Sequence, residues 1–280
     1  MKAGQFSKAG PYLEEAGLFE QAVQAYRKAG RTDRAAALLI KLENYSEALK
    51  LVEEDPSAQV EKRLLGELYL RAGFFERAAE VFLSEGLNFK AAECFESAGD
   101  LARAADLFAS EGEHIHAADL YSGIGRPRDA AAAFEKAREV LNAGKMYEKA
   151  GLTDEAVQMY VAAGHALDAA KIHIRRGSKT QAIRVLQQVR RDDPEFGRAS
   201  FVLGKLFSEQ GLYAPAAEKF EQAIRLMKAE GENITCLYHL ALTYEQMGRV
   251  EEACRLYEKI LSVDYHHADV AERLKSLAQQ

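Results

Sequence analysis

The chain has 280 residues, of which 48% are hydrophobic, and a formal net charge of -6 at pH 7. An acidic chain repels the phosphates of nucleic acid and of anionic membranes, so we exclude these as main partners. The longest apolar run, Ala35 to Ile40, is too short to cross a bilayer, and the start of the chain lacks the apolar segment of a secretion signal. These features predict a cytoplasmic protein without direct membrane insertion.

A sequence unit of 13 residues repeats along most of the chain. It is clearest from Gly73 to Gly125, where small or apolar residues follow each glycine at the second, fifth, sixth and ninth positions. That spacing places them on one face of a helix. The glycine suits the left-handed backbone just past a helix end, where a Cβ is costly. Each unit therefore predicts one short helix.

Helices of about ten residues are not stable alone in water, so these must pack against their neighbours in sequence. The fold predicted is all-α: an α-solenoid superhelix of about nine antiparallel helix pairs plus a C-terminal capping helix, or 19 helices in total.

The predicted elements begin inside the repeat, with helices over 5–16, 19–29, 32–42 and 45–54. Pro56 then ends a helix, and Ser57 is placed to cap a longer one that runs to Ala72. We assign residues 1–190 to short repeats, and residues 191–280 to two longer repeats and the capping helix at 268–277. Both parts are expected to form one continuous solenoid.

Three segments carry a more specific pattern of small and aromatic residues. The motif residues are Leu65, Gly66, Tyr69, Gly73, Phe75, Ala78 and Phe82, then Leu203, Gly204, Phe207, Gly211, Tyr213, Ala216, Phe220 and Ala223, then Leu240, Ala241, Tyr244, Gly248, Ala253 and Tyr257. This pattern resembles the tetratricopeptide repeat (TPR).

The resemblance has visible departures. Ser200 and Leu237 stand where the family has a tryptophan, no proline ends either C-terminal repeat, and the units between 86 and 190 are shorter than the family's 34 residues. The resemblance implies that the first helix of each pair, A, lines a concave surface and that the second, B, lies on the convex one. It also implies binding of a protein or peptide.

No catalytic or cofactor motif occurs in the sequence. His114 and His116 near Asp119 provide too few ligands for a metal, and His173 occupies a slot that is aromatic in other units, which favours packing. The cysteines, Cys94, Cys236 and Cys254, form no CxxC pair and are expected to be reduced and buried. We predict a protein that is not an enzyme and has no cofactor or metal.

The third position after the turn distinguishes the two helix classes. It is polar or small in B helices, but six successive A helices place a large apolar residue there: Phe89, Ile115, Leu141, Leu167, Phe201 and Tyr238. An exposed apolar strip of this kind marks a binding surface. The alternative is that these residues pack between adjacent A helices and that Phe201 replaces the missing tryptophan.

Four residues further along the same helices, the charge changes sign. The acidic residues Glu67, Glu93 and Asp119 give way to Lys145, Lys171 and Lys205. If these side chains line the groove, a partner would be oriented by complementary charge. The alternative is an ordinary solvated charge pattern.

The sequence thus favours a non-enzymatic scaffold or adaptor that binds a peptide or folded partner through its concave groove. The family resemblance suggests a bacterial motility, polarity, secretion or envelope system, with a small Ras-like GTPase as one candidate partner. Two alternatives stay open: a regulatory or targeting repeat segment of a larger multidomain enzyme or sensor, and a eukaryotic-type trafficking solenoid.

Overall fold

The computed structural model describes residues 3–55, 60–227, 230–265, 267 and 269–278. These residues form 19 helices and no strand, which confirms the all-α prediction and the helix number. The chain divides into two compact units, Met1–Glu139 and Val140–Gln280.

In the first unit each helix packs against the next one in sequence, as expected of a solenoid. Its helices are α1 (Ala3–Glu15), α2 (Phe19–Lys28), α3 (Thr32–Lys41), α4 (Tyr45–Glu54), α5 (Lys62–Arg71), α6 (Phe75–Ser84), α7 (Asn88–Ala98), α8 (Leu101–Ser110), α9 (His114–Gly123) and α10 (Pro127–Lys136).

The second unit has the same neighbour-to-neighbour packing and, in addition, contacts of α13 with α15 and of α15 with α17. Alternate helices therefore lie side by side in this unit. Its helices are α11 (Val140–Lys149), α12 (Thr153–Ala162), α13 (Ala166–Arg175), α14 (Lys179–Gln187), α15 (Phe196–Glu209), α16 (Tyr213–Leu226), α17 (Glu230–Gln246), α18 (Val250–Val263) and α19 (Val270–Leu277).

Helix length changes within the second unit. Helices α2 to α14 have 9–11 residues, whereas α15 to α18 have 14–17. The two compact units meet at 139/140, while the boundary predicted from repeat length lies at 190/191. The predicted division into residues 1–190 and 191–280, and the continuity of these two parts in one solenoid, remain predictions.

One predicted helix is shorter than expected. Helix α5 begins at Lys62 rather than Ser57, because Glu61 has extended backbone angles (φ -56°, ψ 127°) that a helix cannot continue through. The predicted cap, Ser57, and Pro56 lie outside the described residues, as does Ala268 before α19.

The turn glycines behave as predicted. Among the described residues, twelve glycines have φ between 67° and 90°, all at or just past the end of an A or B helix. Two repeats place another residue there: Glu43 (φ 59°) and Arg138 (φ 62°) adopt the same left-handed conformation. The periodic backbone geometry is therefore kept even where the glycine is absent.

In several pairs, a glycine of helix A lies against an aromatic residue of helix B. An alanine Cβ at Gly66 would come 2.8 Å from the Phe82 ring, and one at Gly204 would come 2.7 Å from the Phe220 ring. Both rings are fully buried. The close approach of the two backbones is what lets such short helices bury aromatic side chains.

The cysteines are free, as predicted, but only two of them are buried. Cys94 and Cys236 are enclosed, and burial raises the pKa of the Cys94 thiol to about 11. Cys254 is half-buried, which corrects the expectation for that residue.

Candidate functional site

The A helices α13, α15 and α17 of the second unit enclose a shallow groove of about 410 Å³. Three of the predicted binding residues, Leu167, Lys171 and Phe201, line it. The other lining residues are Asp168, Glu195, Arg198, Val202, Met227 and Thr235.

The floor of the groove is apolar and held in place from below. Leu167 is half-buried and packs on the cluster that contains Leu186 and Leu203. The ring centroid of Phe201 lies 5.9 Å from that of Phe220 and 5.4 Å from that of His239. Because both floor residues rest on buried side chains, the floor is preorganised for an apolar ligand group.

The rim of the groove carries charges of both signs, with two cationic and two acidic side chains among the lining residues. Lys171 Nζ lies 2.8 Å from an oxygen of Asp168, three residues earlier on the same helix. Arg198 and Glu195 line the neighbouring part of the rim. Lys205 Nζ lies 5.8 Å from the ring centroid of Phe201, a cation–π geometry.

A second cleft, of about 560 Å³, lies between α11 and α13 and takes Lys145 into its lining. Lys145 lies on α11, which precedes α13 in the chain, whereas the groove is formed by α13 and the helices that follow it. Lys145 therefore lines a different cleft from Leu167, Lys171 and Phe201. The remaining lining residues are Glu148, Lys149, Thr153, Ile172, Arg175 and Arg176.

The predicted residues of the first unit are the most exposed members of the strip. Phe89 on α7 is 44% exposed and Ile115 on α9 is 53% exposed. The Phe89 ring also lies edge-on to that of Phe108, with centroids 5.6 Å apart. Both residues are thus available to a partner, although the pair belongs to a different compact unit from the groove.

Leu141 and Tyr238 are half-buried and engaged within the second unit. Leu141 packs on the cluster of Tyr160 and Ile172. The Tyr238 hydroxyl donates a 2.6 Å hydrogen bond to Asp269, just before α19, and burial together with this bond raises the pKa of Tyr238. For Tyr238 the contacts agree with the alternative of packing, since its polar end is tied to the C-terminal helix.

Two segments of the second unit match family models of the tetratricopeptide repeat, at residues 167–229 and 235–271. The second unit carries tetratricopeptide repeats, and the fold of the chain is TPR-like. The first segment starts in α13 and ends just after α16, so α13 with α14 and α15 with α16 form its helix pairs. Helices α13, α15 and α17 are therefore the A helices, as the sequence predicted.

Several solved TPR structures are similar to the chain at low identity. They include YrrB, described as a TPR protein with an unusual peptide-binding site (19% identity over 58% of this chain and 90% of that one, TM-score 0.42). MamA has 22% identity over 52% and 92% (TM-score 0.41). The C-terminal part of a TPR repeat-containing protein from Cytophaga hutchinsonii has 14% identity over 85% and 98% (TM-score 0.44). No curated protein matches the chain.

TPR repeats stack into extended surfaces that bind other proteins, so the chain is a protein-interaction repeat scaffold. The cleft residues Lys149 and Arg175 were not predicted from the sequence. Each stands four residues, about one helical turn, after a lysine of the charge pattern on the A helices, Lys145 or Lys171. Extending that pattern by one turn identifies them.

The histidines contribute no metal site in the part of the chain that the structure describes, where no group of three or more His, Cys, Asp or Glu side chains could hold an ion. His116 Nε2 lies 2.9 Å from Glu96 on the neighbouring α7. His173 is 9% exposed, which confirms that it is packed, and burial lowers its pKa. Across the described residues, no helix is long and apolar enough to cross a membrane.

Proposed function

We propose that the chain is a non-enzymatic adaptor whose second unit binds a segment of a partner protein in the groove of α13, α15 and α17. The observation that carries this proposal is the combination of an apolar floor, Leu167 and Phe201, with Lys171 and Lys205 beside it. Leu167 and Phe201 are half-buried, so each keeps an accessible face that a partner side chain can bury.

The two parts of the groove contribute differently to binding. Burial of one large apolar anchor stabilises a complex by roughly 1–3 kcal/mol. The exposed lysines contribute mainly to orientation and to the association rate, because solvent and salt screen them. We therefore expect the floor to determine affinity and the rim to determine which segment binds and in which direction.

Affinity capture from lysate of the source organism tests the groove. The rim variant Lys171→Glu/Lys205→Glu changes exposed side chains, so it should remain folded while its altered charge repels an acidic segment. We expect a partner retained by the wild type to be lost by this variant, with identification by mass spectrometry and folding checked by circular dichroism.

A matched control has the same change of charge on B helices of the same unit. Arg184→Glu/Lys259→Glu alters exposed residues of α14 and α18, and should keep the partner. Equal retention by the rim variant and the control would place recognition elsewhere and refute the proposed groove.

The finer parts of the proposal rest on the sequence pattern and the family resemblance. They include a cytoplasmic location and a bacterial motility, polarity, secretion or envelope setting, with a small Ras-like GTPase among the candidate partners. They also include contributions to binding from Phe89, Ile115, Leu141, Lys145 and Tyr238. Among the captured proteins, a GTPase whose retention depends on the bound nucleotide would support that partner.

A further inference from the structure

The cleft between α11 and α13 concentrates positive charge on a chain that is acidic overall. Four cationic side chains line it, Lys145, Lys149, Arg175 and Arg176, against a single carboxylate, Glu148. The chain as a whole has a net charge of -6. A local excess of cations against that background requires a specific explanation.

The one carboxylate of the cleft is already fully engaged. Glu148 accepts hydrogen bonds from Arg175 and from the Tyr160 hydroxyl, the latter at 2.8 Å. The bond from Arg175 lowers the pKa of Glu148, which keeps it ionised and paired. Arg176 is likewise paired with Asp154 and bonds Thr153.

The two lysines are different. Lys145 and Lys149 are exposed, and neither forms an ion pair with any residue that the structure describes. They stand four residues apart on α11, a spacing at which like charges face each other and destabilise a helix. The cleft therefore holds two uncompensated cations that repel one another, and an anionic ligand would relieve this repulsion.

We propose that the α11–α13 cleft binds clustered negative charge, carboxylates or a phosphate, on a protein segment. This inference rests on the proposed function, because α13 lines both the cleft and the groove and we take the two to serve the same partner segment. The cleft supplies no exposed aromatic ring for base stacking, and the acidic chain repels a long polyanion, which disfavours nucleic acid.

Fluorescence anisotropy on the full chain tests the cleft with four labelled probes: hexaglutamate, a phosphoserine peptide, hexaglutamine and a short oligothymidylate. We expect hexaglutamate or the phosphopeptide to bind at least about ten-fold more tightly than hexaglutamine, equivalent to about 1.4 kcal/mol. The affinity should fall as salt is added. The comparison of the two acidic probes distinguishes carboxylate from phosphate as the preferred group.

The variant Lys145→Glu/Lys149→Glu should lose at least about ten-fold in affinity for the acidic probe, while Arg184→Glu/Lys259→Glu, with the same net charge change, loses no more than about two-fold. Equal losses in the two variants would show that net charge alone attracts the probe and would overturn the assignment. Tighter binding of oligothymidylate, or equal binding of hexaglutamine, would overturn it as well.

Hexaglutamate has no apolar side chain, so its binding does not depend on the groove floor. Failure of the cleft test, with partner capture still sensitive to Lys171→Glu/Lys205→Glu, would refute the cleft alone. If the acidic probe binds the cleft as expected but Lys171→Glu/Lys205→Glu still captures the partner, the groove alone would be refuted.

Discussion

Gly204 lies so close to the ring of Phe220 that an added methyl group would have no room. The Phe220 ring cannot retreat easily, since it is fully buried and stacked on His239 with ring centroids 5.8 Å apart. At Gly144 the corresponding contacts, to Met159 and Tyr160, are looser, at 3.2–3.4 Å. At the level of single residues, the fold thus depends on a few sites where backbone and aromatic ring meet.

We expect Gly204→Ala to lower the free energy of unfolding by about 1–3 kcal/mol, because steric overlap outweighs the helical preference of alanine. Gly144→Ala should be close to neutral. Gly123→Ala, in a helix with no atom within 4 Å of the new Cβ, should stabilise by about 0.5–1 kcal/mol. Urea unfolding measures all three, and an equal effect of Gly204→Ala and Gly123→Ala would contradict the close approach.

Most of the described helices end at or just before a left-handed residue, and this conformation controls where those helices stop. The glycines at this position meet no crowding, since a Cβ at Gly112 would find nothing within 4 Å. Their role is therefore conformational rather than steric. Glu43 and Arg138 adopt the same backbone with a side chain, at a cost that glycine avoids.

At this scale we expect Arg138→Gly and Glu43→Gly each to raise the free energy of unfolding by about 0.5–1 kcal/mol. Gly112→Ala is the reverse control and should lower it by about 1 kcal/mol. Differential scanning calorimetry gives the change in melting temperature. A lower melting temperature for both glycine variants would show that the side chains of Glu43 and Arg138 stabilise more than their backbone conformation costs.

In a repeat protein, stability is set locally by each helix and its neighbours, so the whole molecule need not respond uniformly to a change of conditions. The second unit holds a buried histidine, His173, and a half-buried one, His239. Burial, and then the charge of Arg176, lowers the pKa of His173, and burial, followed by Lys205, lowers that of His239. Both therefore sit in their helices as neutral side chains.

For the whole chain this predicts an uneven response to acid. Below the ordinary histidine pKa of 6.5, the unfolded state takes up protons that the folded state resists, so stability falls as the pH decreases toward the folded pKa values. Between about pH 7 and pH 5, we expect amide exchange to increase more in α13 and α17 than in α6, which carries no histidine and has none on α5 or α7.

The variant His173→Gln/His239→Gln cannot titrate at these positions and should show a smaller pH dependence in α13 and α17. An unchanged dependence would mean that other groups control the acid response.

The sequence predicted the site less completely than the fold. The apolar position of the A helices was visible as a pattern, but Leu167 and Phe201 share a groove whereas Phe89 and Ile115 lie in the other compact unit. Of the four cations in the α11–α13 cleft, the sequence pattern identified Lys145 but not Lys149, Arg175 or Arg176. Local spacing shows which face a residue occupies, yet it does not show which helices stand beside that face.

By itself, the sequence determined the helix number, the helix classes and the turn positions, because the spacing of glycine and apolar residues is a local property of the chain. Only the tertiary structure decided that Tyr238 is bonded to Asp269 and that four cations meet between α11 and α13. These outcomes depend on contacts between residues distant in sequence, and those contacts arise from the packing of one helix on another.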